Sequence, residues 1–194
     1  RRALKVQTFF NILRPMINPA SPKFQVLGVN NLEVFNHYKN IYKSLDINYT
    51  IVNSTDGYDE ISLTAETRFA SKNKEGFYLP SNFGFEQIKP EKIFGGNTID
   101  EAAQMFVNIL EGKGTEEQNN VVNANAALGL NLVFPDKSLI DCVDMARESL
   151  KSGKALQEKK FAYLNEIYDL CWHNDTPWGI TLNKAQYFRR HRKE

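Results

Sequence analysis

The sequence predicts an α/β protein built on a mixed, partly parallel sheet flanked by helices. Three observations carry this. "FQVLGV" (Phe24 to Val29) and "INYTIVNS" (Ile47 to Ser54) are short β-branched runs separated by one helix-periodic stretch, the spacing of a βαβ crossover and so of a parallel strand pair. "TRFASKNKEGFYLP" alternates and breaks at Asn73 to Gly76, as the two strands of a hairpin do. Three or more helix-periodic segments then fill the second half of the chain.

Element by element, "RPMINPASPK" is proline-punctuated loop, so "FQVLGV" is a buried strand entered from a loop. Helical text precedes it, beginning at Arg1. In "NNLEVFNHYKNIYKSL" the residues Leu32, Phe35, Tyr38, Ile41, Tyr42 and Leu45 share one helical face, with Asn30 or Asn31 as N-cap. "SNFGFEQIKPEKIFGG" is a loop rich in turn residues. "NTIDEAAQMFVNILEG" opens with Thr98 and Glu101 in capping-box spacing and closes on Gly112. "EEQNNVVNANAALGLNLVF" is a further helix, and "SLIDCVDMARESLKSG" another, starting at Ser138 and stopping at Gly153. "KALQEKKFAYLNEIYDL" reads as the last. On this pattern residues 1–168 read as one α/β unit. Residues 169–194 have no clear period and read as an appendage of unassigned role.

A formal net charge of +1 over 194 residues points away from nucleic acid as the main partner, and "FRRHRKE" is a short solvated basic end. Cys142 and Cys171 have neither disulfide-framework nor zinc-ligand spacing, which suits a reducing cytoplasm. No apolar run reaches the roughly 18 residues of a membrane span, and no signal-like segment opens the chain. The expectation is a soluble cytoplasmic protein that binds neither membrane nor nucleic acid.

The chemistry concentrates in "STDGYDEISLT". Neighbouring side chains on an extended strand point to opposite faces, so the adjacent acids Asp59 and Glu60 can converge on one ion only where the chain bends, as Gly57 permits. They follow the carboxyl end of a parallel strand, where α/β sheets bind ligands. Two hard oxygens suit Mg²⁺, which fills the rest of its shell with water and phosphate. A solvated acidic turn explains the same residues more cheaply. "FGGNTIDEA" sets Gly95 and Gly96 before a helix N-terminus, a place for an anion but more simply a tight turn. His37 reads as a surface or core residue, and "CWH" lacks the second pair a zinc site needs. Ser62 and Thr64 have no histidine and acid in triad company.

"TFFNILRPMINPASPKFQVLGV", "DGYDEISLT", "GGNTIDEAAQMFVNILEGKG" and "NANAALGL" occur in this order. Over Arg1 to about Ile167 the chain resembles the C-terminal part of the anthranilate phosphoribosyltransferases, with pyrimidine nucleoside phosphorylases as more distant relatives. The resemblance implies transfer of the phosphoribosyl group from phosphoribosyl pyrophosphate to anthranilate, with release of pyrophosphate, in tryptophan biosynthesis. It implies that residues 1–168 are a partial α/β catalytic domain, the incomplete large domain of a nucleoside phosphorylase/phosphoribosyltransferase-like fold, and that the protein is a homodimer at full length. By the same carry-over Asp59 and Glu60 bind Mg²⁺, Arg1 (with Arg2 the neighbouring alternative) binds the anthranilate carboxylate, and Pro15 lines the anthranilate path. No residue is implied as a catalyst in its own right; stabilisation comes through the metal.

Against the family pattern, Arg14 replaces a glycine, and Ala65 and Asn97 stand where glycine and aspartate are common. The family's glycine-rich phosphoribosyl pyrophosphate loop, its Lys-His-Gly-Asn stretch and a serine for a second Mg²⁺ lie upstream of these blocks, so the chain alone is expected to be inactive. Two alternatives stand beside this one. The first is a non-catalytic relative in which Arg14 closes the channel; the second is a transferase for another aromatic acceptor.

Overall fold

The structure, a computed structural model, describes Met16 and residues 22–157. The helix expected from Arg1, most of the final helix, the appendage at 169–194, and Arg1 and Pro15 themselves lie outside the described residues.

Four strands form one sheet in the order β1-β2-β3-β4. Strand β1 (Phe24–Gly28) runs parallel to β2 (Asn48–Ser54), with Leu27 opposite Ile51 and Gly28 opposite Val52. Helix α1 (Leu32–Tyr42) makes the crossover between them. Asn31 is its N-cap, its side chain accepting from the backbone N–H groups of Glu33 and Val34. Strands β3 (Thr67–Ser71) and β4 (Glu75–Tyr78) form the expected hairpin, and β3 pairs antiparallel to β2. The sheet is therefore mixed and partly parallel, as the sequence predicts.

Strand β2 is buried at all but its first residue because both its faces are covered. On one face Leu27, Tyr49, Ile51 and Ala70 pack against Phe35, Tyr38 and Tyr42 of α1. The other face carries Val52, Ile61 and Leu63. These pack with Phe83 and Phe85 of the irregular segment and with Ala124, Ala127, Leu128, Cys142 and Val143. Those last residues come from helices α3 (Glu116–Val133) and α4 (Leu139–Lys151). Helix α2 (Ile99–Leu110) joins a smaller cluster through Ile109 and Leu110 against Leu150.

The caps at Thr98 and Ser138 form as predicted, with Glu101 and Asp141 completing their boxes. A third box, Thr115 with Gln118, starts α3. The loop at 79–94 contains two short 3₁₀ turns, Pro80–Phe83 and Pro90–Ile93. Among the described residues no helix is long and apolar enough to cross a membrane.

Candidate metal centre

The segment between β2 and β3 begins at Ser54, the carboxyl end of a parallel strand, and Asp59 and Glu60 lie on a bend within it. Gly57 adopts φ +97°, a value that side-chain-bearing residues rarely take, and this lets the chain turn there. The bend closes on itself through Gly57 N–H to Ser54 O and Ser54 N–H to Tyr58 O. Both acids are exposed, and neither is in an ion pair among the described residues. Burial, and then the charge of Asp59, hold the Glu60 carboxyl above its usual range.

Three groups hold the bend in place. The first is Asp56, whose carboxylate accepts one hydrogen bond from Ser54 and another from Thr64 on separate oxygens. Ser62 Oγ sits 3.1 Å from Ser54 Oγ and 2.8 Å from Thr64 Oγ1. Each hydroxyl has one hydrogen, so with Ser54 and Thr64 both donating to Asp56, Ser62 donates to one of the two. All three hydroxyl residues are buried, and their hydrogen bonds run to one another and to Asp56. His37, the one histidine among the described residues, lies exposed on α1 beside Glu33 instead.

The second holder is Asn125 of α3. Its Oδ1 accepts from Ile61 N–H at 2.9 Å, and its Nδ2 donates to Ile61 O at 2.8 Å and Val121 O at 2.9 Å. The third is contact with β1, because a Cβ on Gly28 would fall 1.7 Å from the Asp59 carbonyl oxygen. Nearby, Asn53 donates to Val29 O at 2.8 Å and accepts from Arg68 at 3.1 Å, tying β1, β2 and β3 together at the same end of the sheet.

Sequence reasoning reaches Asp59 and Glu60 but misses Asp56, Asn125 and Gly28. Asp56 stands in the same motif, yet its spacing alone does not separate it from a solvated turn. The anion reading of "FGG" loses ground, because Glu101 Oε2 already accepts from the N–H groups of Asn97 and Thr98. Among the described residues no group of three or more His, Cys, Asp or Glu is placed to hold a metal. Two adjacent carboxylates on one bend, outside any ion pair among the described residues, still fit Mg²⁺, which needs only one or two.

The chain belongs to the glycosyl transferase family, a/b domain, whose family model matches residues 1–156. Among individual proteins, it is similar to the anthranilate phosphoribosyltransferase of Phocaeicola vulgatus, 45% identical over 166 residues, covering 85% of this chain and 50% of that one. The Flavobacterium psychrophilum enzyme of that name is 49% identical over 160 residues, covering 82% and 48%. The chain thus spans about half the length of the curated relatives it matches. Among solved structures, anthranilate phosphoribosyltransferase from Thermus thermophilus superposes with a TM-score of 0.71 at 30% identity, covering 85% of this chain and 50% of that one. The Saccharomyces cerevisiae enzyme in complex with PRPP and Mg superposes at 0.70 with 25% identity, covering 81% and 45%.

Proposed function

We propose that this chain is the metal-binding part of an anthranilate phosphoribosyltransferase, which moves a phosphoribosyl group from phosphoribosyl pyrophosphate to anthranilate and releases pyrophosphate. The observation that carries the proposal is the Asp59–Glu60 pair, set on a bend at the carboxyl end of β2 with no cationic partner among the described residues. The similarity to enzymes of that name, one of them solved with PRPP and Mg, supports it.

In this reading the anthranilate amine forms a bond to C1 of the sugar as the C1–O bond breaks and its electron pair leaves with pyrophosphate, and the nitrogen gives up one proton to solvent. Asp59 and Glu60 would hold Mg²⁺, which when bound would supply positive charge to the departing pyrophosphate. Asp56, Asn125 and Gly28 keep their bend at the end of the sheet. Arg1, with Arg2 as the alternative, binds the carboxylate of anthranilate through its guanidinium fork, a geometry suited to bidentate pairing. Pro15 forms an apolar wall for the aromatic ring. The intact protein is a cytoplasmic homodimer.

The experiment is loss of anthranilate fluorescence with phosphoribosyl pyrophosphate and Mg²⁺, run on a full-length protein containing this chain beside its Asp59→Asn variant. Mg²⁺-dependent turnover that falls by orders of magnitude in the variant is expected. Equal rates would remove the metal assignment.

A further inference from the structure

We infer that Asn125 is a positioning residue for the acid pair: from helix α3 it sets where Asp59 and Glu60 present their carboxylates. The inference rests on the metal reading of that pair and adds to it a residue 64 positions beyond Ile61 in the chain. The peptide groups of Ile61, the residue directly after Glu60, are held at both N–H and C=O by the one Asn125 amide. The second Nδ2 hydrogen goes to Val121 O on the same helix, so the amide is fixed against its own backbone before it reaches the bend. The helix is itself rigidly seated, because Ala124 and Ala127 on the same turn are fully buried in the core. Ile61 is buried as well and follows the acids into that core. The bend is therefore tied to α3 at its downstream end through Asn125. A metal site loses affinity when its ligands are held loosely, even with every ligand present.

The test uses a full-length protein containing this chain and four variants: Asn125→Ala, Asn125→Gln, Asp59→Asn, and Ser138→Ala at the distant cap of α4. Mn²⁺ alone is titrated and read by the electron paramagnetic resonance signal of the free ion. The half-saturating Mg²⁺ concentration for turnover is measured in parallel. Asp59→Asn is expected to abolish Mn²⁺ binding. Asn125→Ala is expected to weaken it about tenfold, the fold-change of about 1.4 kcal/mol, and to regain its turnover number at high Mg²⁺. Asn125→Gln keeps the amide but displaces it, and gives a smaller shift in the same direction if the alanine variant does not fold. Ser138→Ala loses stability without moving either metal constant. Wild-type Mn²⁺ affinity in both Asn125 variants, with binding lost in Asp59→Asn, would overturn the positioning role alone. Retained Mn²⁺ binding in Asp59→Asn would overturn the acid-pair reading, and the positioning role with it.

Discussion

The backbone of Asp59 rests on Gly28: a Cβ built on that glycine meets the Asp59 carbonyl oxygen at 1.7 Å and its carbonyl carbon at 2.8 Å. The last residue of β1 and the first acid of the candidate centre are thus in close contact, and only glycine allows it. Neither atom can yield as a flexible side chain would, since both belong to the main chain. Gly28→Ala is therefore expected to push the acid bend off the sheet, lowering stability and raising the half-saturating Mg²⁺ concentration together. Gly129, inside α3, gives the contrast, because an added Cβ there would meet nothing within 4 Å. Gly129→Ala is expected to stabilise by about 0.5–1 kcal/mol through helix propensity, with metal dependence unchanged. Denaturant titration of both variants checks this.

Removing the Asp56 carboxylate leaves the Ser54 and Thr64 hydroxyls without their acceptor. Asp56→Ala is expected to cost about 1–3 kcal/mol, the range for a buried polar group losing its partner. Asp56→Asn keeps one acceptor oxygen and is expected to cost less. Urea midpoints at a common slope measure both, and an alanine variant as stable as the parent would mean that the hydroxyls find other acceptors.

Leu63 sits at φ +60°, the left-handed region, while its side chain is 1% exposed in the core below the bend. The backbone conformation costs about 1–2 kcal/mol for a residue with a Cβ, whereas emptying a buried leucine site costs about 2–5 kcal/mol. Burial wins. Leu63→Gly is expected to be destabilising despite relieving the strain, and less so than Leu128→Ala, a buried leucine on an ordinary helix. Thermal unfolding of the two variants gives the order.

Tyr42 is wholly buried against Tyr38 and Tyr49. Burial first, then the neighbouring Tyr38, push its hydroxyl up to about 12, against the lowering effect of its hydrogen bond to Gln25. The folded group thus holds its proton where the unfolded one, near 10, releases it. The stability this represents is fully present below about pH 10 and is lost as pH rises from about 10 towards 12. Tyr42→Phe is expected to flatten the alkaline fall in stability over that window. An unchanged alkaline profile would place the titration elsewhere.

Much of the architecture is legible in local text. The βαβ unit shows as two apolar runs around a 3.6-period stretch, and the hairpin as an alternation broken at Asn73 to Gly76. The starts at Asn31, Thr98 and Ser138 are legible because caps are local chemistry, satisfied within three residues. Asp59 and Glu60 can be singled out because adjacency, a glycine and a preceding strand are all visible along the chain.

Along the chain alone one can read the strands and longer helices of the described residues, the crossover that makes β1 and β2 parallel, and the place of the acid pair after β2. Each follows from periodicity and turn chemistry acting over a few residues. What holds that pair emerges only once the chain is folded. Gly28 carries no sign of its contact with Asp59, since a glycine ending a strand has many causes. Asn125 is one of several asparagines on α3, and nothing in its spacing tells it from Asn123 or Asn119. Ser62 and Thr64 become buried partners of Asp56 and Ser54 only when the chain folds back on itself. The contacts of Gly28 and Asn125 join residues far apart along the chain, and packing of that kind leaves no period for a sequence to display.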